Sequence, residues 1–158
     1  MNSVNRAWRS VAGLAFILIL LALCDSASNA DNSQVAQIKT VSGDAEIVRN
    51  GARTTARVGD PLYEKDTIET GADGSIGITF IDNTVMSSGP DSQIVLEDYK
   101  FNSSNFKGSM LADMNRGTVS MISGDIARST PGAMKVKTPT AILGVRGTRF
   151  VIEVKDNR

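Results

Sequence analysis

Thr138-Pro139-Thr140-Ala141-Ile142-Leu143-Gly144-Val145-Arg146-Gly147-Thr148-Arg149-Phe150 is the stretch that decides the fold of this chain. Pro139 fixes its own φ and pushes Thr138 towards extended geometry, so a helix through this point is disfavoured. Gly144 and Gly147 mark positions where the backbone turns unusually or is closely approached by another segment. An alternating strand follows, with Phe150, Ile152 and Val154 on one face and Arg149, Glu153 and Lys155 on the other. The segment predicts a tight corner between strands.

The same period-two pattern recurs upstream. Ile76, Ile78 and Phe80 alternate with Gly77 and Thr79, and Val119 and Met121 repeat the pattern. Asn50-Gly51, between Ala45–Arg49 and Ala52–Val58, is the strongest hairpin signal in the chain. Asp73-Gly74, Asp82-Asn83 and Gly89-Pro90 mark further reversals. Between about Asp98 and Gly117 the strand pattern lapses, and Leu111–Met114 is expected to form at most one helical turn. The expected fold is a single all-β domain of short strands, with a β-solenoid or rolled sheet preferred over a sandwich. Expected core residues include Val48, Val58, Leu62, Ile68, Ile76, Ile78, Phe80, Val85, Ile94, Leu96, Val119, Met121, Val136, Ile142, Val145, Phe150 and Ile152.

Residues 1–30 read as a targeting segment. Arg6 and Arg9 precede an apolar run of 13 residues, Val11–Leu23. A membrane-spanning helix needs about 20, so the run suits a cleaved signal peptide. Ser28-Asn29-Ala30 offers small residues for cleavage after Ala30, and export to the periplasm is the expected localisation. Two alternatives are lipidation of Cys24, which would attach the protein to a membrane, and an uncleaved anchor. Residues 31–40 are expected as a linker, 41–154 as the β domain and 155–158 as a tail.

Removing 30 of 158 residues leaves 128 and takes away the only cysteine. Two of 17 basic and one of 17 acidic residues leave with the leader, so 15 and 16 remain, a net charge of −1. No basic excess is present to neutralise phosphates, so no nucleic-acid partner is expected.

Several ordered motifs carry a family resemblance. Val41-Ser-Gly-Asp-Ala-Glu-Ile-Val48 is followed by Val58-Gly-Asp-Pro-Leu-Tyr-Glu-Lys-Asp-Thr-Ile-Glu-Thr-Gly71. Asp73-Gly-Ser-Ile-Gly-Ile-Thr-Phe-Ile-Asp-Asn-Thr84 comes next, then Ser92 and Ile94. Thr138-Pro139-Thr140-Ala141 and Gly144-Val145-Arg146-Gly147-Thr148 with Phe150 complete the set. Together they resemble the FecR domain over about Val41–Val154. In the iron-transport regulators of that family the domain lies in the periplasm and receives a signal from an outer-membrane transporter, while a cytoplasmic segment controls a sigma factor. Only ten residues precede the apolar run here, so the resemblance implies a periplasmic FecR-like protein without the anti-sigma segment. It also implies another envelope protein as partner. Many relatives continue with more β-structure, whereas this sequence stops at Arg158.

Catalytic chemistry is poorly provided for. With no histidine and no cysteine beyond the leader, the common general base, thiolate nucleophiles and the usual zinc ligands are missing. Asp60, Asp66, Asp73, Asp82 and Asp91 do not follow calcium-loop spacing and read as turn residues. No enzyme activity, cofactor or metal is expected. For Arg146 the preferred reading is a clamp on Asp66 or Asp82 that locks the corner, making Arg146→Lys destabilising. The alternative is a fork for a carboxylate or phosphate. Thr138, Thr140 and Thr148 are expected to close backbone hydrogen bonds. The strand Phe150–Val154 either forms an open edge that pairs with a partner or a second copy, or is covered by Ala36–Val41, the reading preferred here.

The expected function is a non-enzymatic periplasmic binding or signal-receiving module working through protein–protein contacts. The alternatives are a structural envelope protein assembling through a sheet edge, and a cell-wall or carbohydrate-binding domain. The last is weakened because Trp8, the only tryptophan, lies in the leader.

Overall fold

The computed structural model describes residues 33–147 and 149–155. The leader with Cys24 and Ala30, together with Thr148 and Arg158, lies outside the described residues. Twelve strands and one short helix follow in order. They are β1 (Ala36–Ser42), β2 (Ala45–Arg49), β3 (Ala52–Thr55), β4 (Pro61–Leu62), β5 (Thr67–Thr70) and β6 (Ser75–Phe80). Then come β7 (Val85–Ser88), β8 (Gln93–Asn102), β9 (Lys107–Ile122), α1 (Asp125–Ser129), β10 (Met134–Lys137), β11 (Ile142–Val145) and β12 (Arg149–Val154). They form one strongly curled antiparallel sheet, a half-barrel. The rolled sheet expected from the sequence is therefore the fold.

The strand order runs β3-β2-β5-β8-β9-β7-β6-β1-β4, and β10 and β12 also pair with β9. β9 is the spine. Its first part pairs with β8 on one side and, in the parallel sense, with β10; its second part pairs with β7 and β12. Between the two parts the register against β8 shifts, and Gly117 takes a φ of +94°. A shift of this kind strengthens local twist and bends the strand. The bend folds the sheet over its own inner face.

Ser92 fastens that bend. Its Oγ donates to the Gly89 carbonyl at 2.9 Å and accepts the Thr118 N–H at 3.1 Å. Thr70 adds a bond from Oγ1 to the same Gly89 carbonyl at 2.7 Å, and accepts the Ser92 N–H at 2.9 Å. The β7–β8 turn is thereby tied to β9 where β9 changes direction.

The inner face carries the core: Ile38, Ile47, Ile68, Ile76, Ile78, Phe80, Met86, Ile94, Leu96, Met110, Met114, Val119 and Met121 are all buried. Burying each such side chain contributes about 1.5–3 kcal/mol. The outer face of β3, β2, β5, β8 and β9 carries a polar ladder. Arg53 pairs with Glu46 at 2.9 Å and Glu69 at 2.8 Å, Gln93 donates to Glu69 at 2.8 Å, and Asn115 donates to Gln93 at 3.1 Å. The hydrogen bonds from Arg53 and then Gln93 hold the Glu69 carboxyl below the usual carboxylate range.

Several expectations need correction. Residues 107–122 form the longest strand, not a lapse with a helical turn at Leu111–Met114. Ile47, not Val48, faces the core of β2, and Val58 and Ile142 are 64% and 65% exposed. Val85, Phe150 and Ile152 are only partly buried. β1 starts at Ala36, inside the stretch expected as linker, and Ala36 and Ile38 are buried. The turns at Asn50-Gly51, Asp73-Gly74 and Asp82-Asn83 stand where expected. Asn50, Gly51 and Asn83 have φ of 51°, 81° and 63°, and Gly74 N–H donates to the Gly71 carbonyl at 3.0 Å.

Candidate functional site

The Thr138–Phe150 stretch builds one end of the half-barrel. β10 and β11 form a hairpin in which Met134 opposes Val145 and Lys137 opposes Ile142. Its loop is Pro139-Thr140. Thr138 closes it from both sides: its N–H donates to the Ala141 carbonyl at 2.8 Å, and its Oγ1 accepts the Ala141 N–H at 3.1 Å. Thr138 thus has the hydrogen-bonding role expected of it, whereas Thr140 is exposed at the loop tip.

Beyond Val145 the chain leaves the hairpin through Arg146 and Gly147 and enters β12. Gly147 has a φ of +39°, a conformation that favours glycine. Gly144 does not need its missing side chain: it lies inside β11, and a Cβ there would meet nothing within 4 Å. The expectation of two special glycines holds for Gly147 only.

β11 and β12 do not pair with each other. β11 is bonded to β10 alone and β12 to β9 alone, among the described residues. Ala36–Val41 does not cover β12 as expected, because β1 is sandwiched between β6 and β4 instead. The inner face between β11 and β12 is consequently open. Leu143 shares the face of buried Val136 yet is 41% exposed, and Phe150, Ile152 and Val154 are half-buried.

Two adjoining hollows occupy this opening. One, of about 500 Å³, is lined by Asn115, Thr138, Pro139, Thr140, Leu143 and Ile152–Lys155. The other, of about 460 Å³, is lined by Leu143–Arg146 and Phe150–Ile152. Leu143 and Ile152 belong to both, so the hollows adjoin as one groove in which these two apolar side chains are flanked by polar and charged ones. Ile152 was expected in the core and not in a groove, and Leu143 was not singled out, because the glycines and the arginine drew attention.

Arg146 is exposed at the end of this groove and has no hydrogen bond or ion pair among the described residues. The clamp expected of it does not exist, because both proposed acids are already satisfied. Asp66, fully buried, receives Nε and a terminal nitrogen of Arg49 at 2.7 and 2.8 Å, and the Tyr63 N–H at 2.9 Å. The Arg49 guanidinium also lies 4.3 Å from the Tyr63 ring centroid, and its hydrogen bond to Asp66 raises its pKa. Asp82, also fully buried, accepts from Thr84 Oγ1 at 2.8 Å, Tyr99 Oη at 3.0 Å and the Ile126 N–H at 3.3 Å. Burial, followed by the neighbouring Asp82 charge, pushes the Tyr99 phenol well above its usual range. Both acids were expected as turn residues. They are internal fasteners, joining segments distant in sequence.

A third hollow, of about 510 Å³, lies between Ile47, Arg49, Asn50, Ala52, Thr54, Asp60 and Pro61. Its arginine is committed to Asp66 and the Pro61 carbonyl. No group of three or more His, Cys, Asp or Glu side chains is placed to hold a metal among the described residues.

The family model described as FecR protein matches residues 66–158, which is 93 of 158 residues and includes the whole β11–β12 groove. The chain belongs to this family, a membership that implies a role related to FecR-type signalling. The FecR domain is generally non-catalytic. No curated protein and no solved structure matches the chain.

Proposed function

We propose that this protein is an exported, periplasmic and non-enzymatic FecR-family module that receives a signal by binding another envelope protein in the β11–β12 groove. The observation that carries this reading is the pairing of an open apolar face with an uncommitted cation. Leu143 and Ile152 offer apolar surface, and Arg146 beside them has no partner among the described residues. Elsewhere the arginines with described bonds, Arg49, Arg53 and Arg128, contact this chain's own groups. A planar guanidinium at the end of this groove suits a carboxylate-bearing partner segment. The groove also lies inside the family-matched residues, whereas the hollow beside Arg49 lies outside them.

Export is supported by Arg6, Arg9, the apolar run Val11–Leu23 and the small residues before Asp31. The non-enzymatic reading is supported by the buried acids. A hydrolase using carboxylates alone would need one free to accept a proton, and those of Asp66 and Asp82 are bonded to this chain's own groups. The test is a photo-crosslinking residue at Leu143, compared with one at Thr54 on the exposed strand β3. A discrete envelope-protein adduct from Leu143, lost on Arg146→Glu, supports the reading; equal labelling from both positions counts against it.

A further inference from the structure

β12 has one bonded neighbour, β9, and its other edge carries no strand among the described residues. Phe150, Ile152 and Val154 oppose Met121, Val119 and Gly117 on the inner face. Arg149, Val151 and Glu153 therefore point outward, and all three are exposed, Val151 at 64%. Neither Arg149 nor Glu153 has an ion pair among the described residues. No proline or glycine interrupts the strand and no charge points inward from it; the charges it carries, Arg149 and Glu153, sit on its outer face.

The strand is complementary to itself. Directly opposed residues in an antiparallel pair face the same side of the sheet. With Val151 opposite Val151, Arg149 falls opposite Glu153 at both ends, and Phe150 falls opposite Ile152 twice. Other registers lose this match. Centring on Ile152 sets Arg149 against Lys155, and centring on Arg149 or Glu153 opposes like charges. Centring on Phe150 sets Arg149 against Val151. A centre at Val154 opposes Glu153 to Lys155 but sets no residue of Arg149–Ile152 opposite another residue of β12. In-register parallel pairing sets each charge beside its own kind.

We infer that the free edge of β12 pairs antiparallel with β12 of a second copy, centred on Val151, giving a two-fold symmetric dimer with a continuous sheet. The contact is isologous and closed, so it yields a dimer and not a fibre. It goes beyond the groove-binding role: it rests on the backbone edge of β12 and the Arg149–Glu153 match, and because Phe150–Lys155 also border the groove, the second copy would adjoin that groove.

The test uses protein expressed from the full sequence and studied by sedimentation velocity over a range of concentrations. Wild type is expected to dimerise. Arg149→Glu alone and Glu153→Arg alone each oppose like charges twice, and each is expected to raise the dimer Kd by about tenfold or more. An equimolar mixture of the two variants restores both opposite-charge pairs and is expected to dimerise, as is the double variant. Both substitutions lie on exposed positions, and circular dichroism checks that each variant is folded. A wild type that stays monomeric, a dimer indifferent to both substitutions, or a mixture no tighter than the single variants would each overturn the inference. Envelope-partner crosslinking from Leu143 is read separately, so loss of the dimer and loss of the groove role are distinguishable.

Discussion

Ser92 and Gly117 meet where β9 bends: Ser92 Oγ accepts the N–H of Thr118, the next residue, at 3.1 Å, and any Cβ on Gly117 would run into the Ser92 side chain. Gly117 also has a φ of +94°, which L-residues with side chains adopt only with strain. Two independent costs therefore fall on one substitution. Gly117→Ala is expected to lose about 2–4 kcal/mol, a fall on the order of 10 °C in Tm. Thermal unfolding by circular dichroism checks this; an unchanged Tm would show that the bend is not held there.

Tyr99 and Asp82 give a second prediction. The phenol donates to Asp82 Oδ1 at 3.0 Å and accepts the Asp82 N–H at 3.1 Å, with its ring stacked on Phe80. Tyr99→Phe keeps the ring but takes one donor from a buried carboxylate, at a cost of about 1–3 kcal/mol. The folded-state pKa of Tyr99 is raised above its ordinary value of 10.0, so its neutral form is favoured in the fold. That stabilisation is fully present below pH 10 and is lost as pH rises towards the folded-state value. The stability gap between wild type and Tyr99→Phe should be constant near neutrality and shrink above pH 10, as denaturant titrations at several pH values would reveal.

The outer ladder has the opposite pH sense. Glu69 has a folded-state pKa below its ordinary 4.5, chiefly through Arg53 and then Gln93. Its contribution is present above pH 4.5 and disappears as pH falls through the depressed folded value. Glu69→Gln should therefore lower Tm at pH 7 and match wild type in strong acid. The ladder faces water, so the effect at pH 7 is expected to be small, within about 1 kcal/mol.

How much of this was legible in the sequence depended on how local the cause was. Asn50-Gly51 and Asp82-Asn83 specify turns through their own backbone preferences, and both turns are present. Phe150, Ile152 and Val154 revealed the inner face of β12 through simple alternation. β9 was hidden because its inward residues Met110, Ala112 and Met114 contrast weakly with outward Leu111. In β2, Ile47 and Val48 are both β-branched and apolar, so only pairing with Ile68 fixes which one turns inward. The buried acids were misread for a deeper reason. Asp66 finds Arg49 17 residues away, and the Asp82 carboxylate meets the Ile126 N–H 44 residues on, separations that no local pattern reveals.

Arg146 follows from the same lesson. Nothing among the described residues holds it, so Arg146→Lys is expected to leave stability within about 0.5 kcal/mol of wild type. Lysine does not reproduce the planar fork, so partner crosslinking at the groove should weaken. A lowered Tm would restore the clamp that the sequence suggested.

The most direct test of the groove is photo-crosslinking from Ile152 in living cells, with and without Arg146→Glu. A discrete envelope-protein adduct from Ile152 that disappears with Arg146→Glu, while Tm stays unchanged, is the expected result. No adduct from Ile152, or one that survives the charge reversal undiminished, would contradict a partner-binding role for the β11–β12 groove.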